Sequence, residues 1–140
     1  FSTDDFWENY SCCYQILGLL LQTSELSQNK INPGIQNSVE YMMKNYSQTI
    51  NIIDLAKIAN MSESNFFAVF KKSFGCSPIS YLNHYRISLA ADLLTETNFT
   101  ISEIGYKVGI NDPLYFSKLF KKAHGISPRE YRTLHLTKHC

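Results

Sequence analysis

Hydrophobic positions recur along this chain at spacings of three and four, the period of an amphipathic helix. No segment alternates with the period of two that a half-buried strand requires. Phe6, Trp7, Tyr10, Tyr14, Leu17 and Leu21 mark a first helix from Asp5 to Gln22, and the polar stretch from Gln22 to Asn32 reads as a linker. Asn32-Pro33 supplies a cap and a first-turn proline for a helix that buries Ile35, Val39, Met42 and Tyr46. Asn51, with Asp54 placed for a capping box, starts a short helix carrying Ile52, Leu55 and Ala56 and ending near Asn60. Ser62 caps the next helix, which runs to Phe74 and stops at Gly75. Ser77-Pro78 opens a longer helix through Ile79, Leu82, Arg86, Leu89 and Leu93, broken at Thr97-Asn98-Phe99. Thr100 and Glu103 form a capping signature before Ile104, Gly105 and Val108, and Gly109 ends that short helix. Asp112-Pro113 starts a further helix that Gly125 terminates, and Ser127-Pro128 opens a last short one with Tyr131. The pattern predicts an all-α fold.

Within these helices the chain repeats itself fifty positions on. Phe66 to Tyr81 is answered by Phe116 to Tyr131 in the gapless register Phe-x-x-x-Phe-Lys-Lys-x-x-Gly-x-Ser-Pro-x-x-Tyr, which marks a duplicated supersecondary unit. In each copy a short helix, a turn of three or four residues and a second helix make a helix-turn-helix. The second helix of such a unit shows an apolar face to its scaffold and a polar face to a groove. Phe66, Val69, Phe70 and Ser73 are expected inside in the first copy, and Phe116, Leu119, Phe120 and Ala123 in the second. Glu63, Ser64, Phe67 and Ala68 then face outward, as do Pro113, Leu114, Ser117 and Lys118, and these are the candidates for reading DNA bases. Ser62, Lys71, Lys72, Arg86, Lys121 and Lys122 are the candidates for phosphates, with Arg129 and Arg132 extending the basic surface. A lysine pair at a helix end also complements the macrodipole, the paired phenylalanines are core, and Gly-x-Ser-Pro is a helix stop followed by a start. Recurrence of the whole assembly is what favours the functional reading.

Composition sharpens this picture. The chain has 140 residues, 44% of them hydrophobic, which suits one globular domain or two small ones sharing a helix. Its net charge of +1 hides an asymmetry. Residues 1–49 hold two basic and five acidic side chains, net −3, whereas residues 50–140 hold eleven and seven, net +4. The repeat-bearing part is the basic part, as a polyanionic partner prefers. Cys12, Cys13, Cys76 and Cys140 show neither zinc spacing nor a disulfide framework and read as thiols of a reducing cytosol. The longest apolar run, Ile16 to Leu21, is far short of a membrane span. There is no Gly-rich phosphate loop, no His-Glu-x-x-His and no nucleophile–base pair, so no enzyme, cofactor or metal is expected. His135, His139 and Cys140 read as a frayed tail. The first residue is Phe1 rather than Met, which suggests a piece of a longer protein.

The second copy, Ile104 to Lys122 followed by Gly125-Ile126-Ser127-Pro128-Arg129-Glu130-Tyr131-Arg132, resembles the signature of AraC/XylS-family transcription regulators. Leu55-Ala56, Met61-Ser62 and Phe66 to Lys72 resemble its partner unit, so the likeness covers residues 34–134. It implies a DNA-binding domain of about seven helices, with two helix-turn-helix (homeodomain-like) subdomains joined by the helix Pro78–Leu94. The corresponding organisation is residues 1–30 as the tail of a sensor or dimerisation domain, 31–76 as the first subdomain, 77–95 as the linker helix and 96–140 as the second subdomain with its tail. The resemblance further implies a cytoplasmic regulator, mostly an activator, whose partners are double-stranded promoter DNA and RNA polymerase. A homodimer through the N-terminal region and a small-molecule effector held by a domain outside this chain are also implied. Arg often stands where Ala68 and Lys118 are, so weaker base contact by the first unit is expected, and loss of the bidentate fork by the second. Gly105 stands where alanine is commoner. Phe67, Pro113 and Leu114, apolar on a groove-facing surface, suit thymine methyls and an AT-leaning site. The rival reading is a helical protein-interaction or dimerisation module whose basic face is only solvated.

Overall fold

The computed structural model describes residues 31–136, in which there are seven helices and no strand. They are α1 (Pro33–Lys44), α2 (Ile52–Ile58), α3 (Glu63–Phe74), α4 (Pro78–Glu96), α5 (Ile101–Lys107), α6 (Pro113–His124) and α7 (Pro128–Leu136). The expected helix Asp5–Gln22 lies outside the described residues.

Most helix starts are written in local side-chain chemistry. Asn32 Oδ1 accepts from the Gly34 N–H at 2.8 Å, and Ser62 Oγ from the Asn65 N–H at 3.3 Å. Asp112 Oδ1 accepts from the Leu114 and Tyr115 N–H groups at 3.0 and 3.4 Å. Thr100 and Glu103 close a full capping box, with Glu103 N–H donating to Thr100 Oγ1 at 3.1 Å and Thr100 N–H to Glu103 Oε2 at 2.7 Å. Ser127 and Glu130 do the same before α7. Each cap of this kind contributes about 1 kcal/mol. Asn51 departs from expectation: its side chain makes no cap bond and its amide donates to Asp54 Oδ2 at 3.5 Å, so no capping box opens α2. At the other ends, Gly75 and Gly125 take left-handed conformations, and their N–H groups donate to Lys71 O and Lys121 O at 2.7 Å each.

Two compact units form. Among the described residues, one holds 31–45 and Ile50–Leu82; the other holds Tyr46–Thr49 and 83–136, so the division falls within α4. In the first unit Ile35, Val39 and Met42 of α1, Leu55 and Ala56 of α2, and Phe66, Phe70 and Phe74 of α3 are buried. Phe70, Phe74 and Tyr81 close an aromatic triangle with ring centroids 4.7 to 5.5 Å apart. In the second unit Ile87, Ala90, Ala91 and Leu94 of α4 pack with Ile104, Val108, Ile110, Phe116 and Phe120. Its triangle is Phe120, His124 and Tyr131, at 4.4 to 5.2 Å.

Three expectations about which side chains face inward are corrected here. The inner stripe of α3 runs at i, i+4 and i+8 through Phe66, Phe70 and Phe74, whereas in α6 only Phe116 and Phe120 are buried and the exposed His124 lays its ring against Phe120. Ser73 and Ala123, placed inside from the pattern, are therefore exposed. Tyr46 lies beyond the end of α1 and meets Tyr85 edge-on at 5.7 Å, within the second unit. Cys76 is buried, and Cys12, Cys13 and Cys140 lie outside the described residues.

Candidate nucleic-acid interface

The two copies share a scaffold and differ in what they show. With Phe66 and Phe70, or Phe116 and Phe120, fully buried, the rest of each helix must turn outward. On α3 the base-facing candidates Glu63, Ser64, Phe67 and Ala68 are all exposed, followed by exposed Lys71 and Lys72. On α6, Pro113, Leu114 and Lys118 are exposed, Ser117 is half-buried, and Lys121 and Lys122 are exposed. Ser62 is exposed, but its hydroxyl is engaged as the cap of α3. Each helix is thus uncharged or weakly charged over its outward first turns and cationic over its last. That arrangement suits base edges met by the first turns and phosphates met by the lysines.

The turn before these helices is not identical in the two copies. Ile52 and Ile101, which open α2 and α5, are 49 apart, whereas the caps Ser62 and Asp112 are 50 apart. The second turn is one residue longer. Asn60 takes a positive φ of 55° in the first copy, and Gly109 takes 91° in the second. A Cβ on Gly109 would lie 2.5 Å from Tyr46 O, so glycine is needed there for space as well as for conformation. At Gly105 a Cβ would lie 3.0 Å from Ile110 O and 3.2 Å from Phe116 Cγ, so an alanine there would require these neighbours to give by a few tenths of an ångström.

Arg86 corrects the list of phosphate candidates. It is only 8% exposed, and its Nε and Nη2 donate to Tyr46 O at 2.7 Å and Gln48 O at 2.8 Å. Burial holds the guanidinium below its usual range, opposed by Tyr115. Arg132 is similarly engaged, donating to Leu94 O, Thr97 O and Phe99 O at 3.0, 3.4 and 2.6 Å, where it caps the end of α4. Arg129 remains exposed. Tyr115, missed in the sequence, is exposed beside Leu114, with Asn83 Nδ2 donating to its hydroxyl at 3.4 Å. Its signal was available, since it is an aromatic on a face that the repeat turns outward.

Two titrating groups of the second unit are displaced. The His124 ring packs against Phe120 and Tyr131 although the residue keeps an exposed edge. Desolvation, with His135 nearby, lowers its pKa. The bonds from Thr100 hold the Glu103 carboxyl below its ordinary range. A cleft of about 750 Å³ beside α5 is lined by polar side chains with Phe99 and Tyr106, and Lys107 Nζ lies 4.4 Å over the Phe99 ring. Among the described residues no three His, Cys, Asp or Glu side chains are grouped to hold a metal, and no helix is long and apolar enough to cross a membrane.

Comparison with known proteins bears on what these faces meet. The family model described as a helix-turn-helix domain matches residues 55–133, more than half of the chain and both copies. The lactose operon transcription activator of Staphylococcus xylosus is 43% identical over 102 residues, covering 73% of this chain and 37% of that protein. The C-terminal domain of AraT, a response regulator from Geobacillus stearothermophilus, superposes with a TM-score of 0.71 at 34% identity, covering 76% of this chain and 88% of that one. A regulator with an AraC-type DNA-binding domain from Chromobacterium violaceum superposes at 0.68 with 27% identity, covering 74% and 92%. The chain belongs to the AraC/XylS family. It spans less than half the length of the curated relatives it matches. In AraC/XylS terms, α2–α3 and α5–α6 are its two helix-turn-helix motifs, and α4 is the helix between them.

Proposed function

We propose that this chain is the DNA-binding part of a transcription regulator, an activator, in which α3 and α6 enter successive major-groove segments of promoter DNA. The observation that carries this is the outward face of each recognition helix: exposed side chains of differing chemistry over the first turns, then a lysine pair, on one repeated buried scaffold. Glu63, Ser64, Phe67, Ala68, Pro113, Leu114, Ser117 and Lys118 face the bases. Ser62, Lys71, Lys72, Lys121 and Lys122 face phosphates, without Arg86. The chain acts by binding rather than catalysis, in the cytoplasm, with RNA polymerase as its further partner. Residues 1–30 belong to a sensor or dimerisation domain that holds the effector and pairs two copies. Residues 31–76 form the first subdomain, 77–95 the linker helix and 96–140 the second subdomain.

The test is selection from random duplexes, followed by titration of an enriched duplex at several salt concentrations. Four phosphate-facing lysines correspond to a log K against log salt slope of about −4. Absence of any enriched sequence, together with affinity that ignores salt, overturns the proposal in favour of a protein-interaction module.

A further inference from the structure

Leu114 is 77% exposed, the most exposed large hydrophobic side chain among the described residues. Single exposed leucines are ordinary on protein surfaces, but this one sits at a built position. Pro113 occupies the first turn, and the Asp112 carboxylate holds the Leu114 and Tyr115 N–H groups, so the backbone under Leu114 is fixed. Lys118 follows four residues later on the same helical face, with Lys121 beyond it. Leucine has neither donor nor acceptor, so it cannot distinguish guanine, adenine or cytosine by hydrogen bonding. In the major groove the one apolar group on a base edge is the 5-methyl of thymine. Lysine has only donors, which suit the N7 and O6 acceptors of guanine.

Resting on the DNA-binding reading above, we infer that Leu114 reads the 5-methyl of a single thymine, and that this thymine lies one or two base pairs from a guanine contacted by Lys118. The spacing follows from geometry. Four residues of helix advance about 6 Å, and successive base pairs about 3.4 Å. The first copy has Ser64 and Ala68 at the matching positions, so it lacks this pair, and the thymine–guanine element belongs to the half of the operator read by α6.

The experiment uses a duplex selected by the chain and replaces each thymine in turn with deoxyuridine, which removes only the methyl and keeps the base pair. Burying one methyl is worth about 0.8 kcal/mol, about fourfold in Kd at 1.4 kcal/mol per tenfold. One substitution is expected to weaken the unaltered chain about fourfold and to have no effect on Leu114→Ala. Lys118→Ala is expected to relax base preference within two base pairs of it. Leu114 makes no core contact, so the variant should keep the helical signal and Tm of the parent. A duplex bound with steep salt dependence, but with no deoxyuridine effect that Leu114→Ala abolishes, overturns the inference and leaves the DNA-binding reading standing. Failure to select any duplex overturns both.

Discussion

Replacing Arg86 separates a structural role from a DNA-contacting one. The guanidinium makes two charge-assisted bonds, to Tyr46 O and Gln48 O, from an almost buried position. Bonds of this type contribute roughly 1.5–3 kcal/mol each. Gln48 is exposed, so water can replace the bond to its carbonyl, whereas Tyr46 is half-buried and also borders Gly109. Counting one bond fully and the other in part, Arg86→Met should destabilise the second unit by about 2–4 kcal/mol. At roughly 4–8 °C per kcal/mol for a unit of this size, Tm should fall by about 8–30 °C. Arg86→Lys should recover little, because a single ammonium cannot reproduce the fork. The assay pairs thermal unfolding with DNA titration over a range of salt at a temperature where the variant is still folded. The expected result is a large loss of Tm with an unchanged salt slope. An unchanged Tm with a slope smaller by about 0.9, the signature of one lost phosphate contact, would refute the reasoning and return Arg86 to the DNA surface.

Three further outcomes are expected. Lys118→Ala should change which sequences are preferred, costing about 1–3 kcal/mol at one base pair, while Lys72→Ala should weaken all duplexes evenly and reduce the salt slope by about 1; equal, sequence-independent losses from both would contradict the assignment of faces. Gly125→Ala meets nothing within 4 Å and should cost only the left-handed backbone, about 1–2 kcal/mol. Gly109→Ala adds a clash with Tyr46 O and should cost roughly 1–3 kcal/mol more in urea unfolding, so equal losses at the two glycines would show that the Tyr46 segment yields. For His124 the folded pKa is lowered, so the unfolded chain binds the proton more readily. Stability should be complete above the ordinary histidine value and fall as pH drops through that value toward the folded one. His124→Phe, which copies Phe74, should flatten this decline between pH 7.5 and 5, as read by Tm at each pH.

How far the fold could be read in advance depended on the range of the interaction concerned. Thr100 with Glu103, Asp112 before Pro113, and Gly75 or Gly125 act over three or four residues, so their spacing alone located α5, α6 and the ends of α3 and α6. What failed was set by distant partners. Whether residue 73 or 74 turns inward depends on Tyr81 arriving to meet Phe74 from the next helix. Arg86 looked like surface because a charge on an amphipathic helix usually is, and the carbonyls that take it inside lie 40 and 38 positions away. The Asn51 cap failed for a subtler reason, since its amide found the Asp54 carboxylate rather than the backbone. The candidate face was legible as the positions where the copies disagree, because sharing the buried stripe assigned the remaining positions to the outside.

The fifty-residue register from cap to tyrosine also has a consequence for change over time. From Ser62 to Tyr81 and from Asp112 to Tyr131 the two stretches match in length and in their first two buried phenylalanines, with Phe74 answered by His124, while the extra turn residue lies outside both. Each stretch is therefore a unit of fixed length whose paired phenylalanines anchor it and whose solvent side is free to differ. Drift confined to that solvent side can change what the stretch meets while the buried residues that hold it stay as they were.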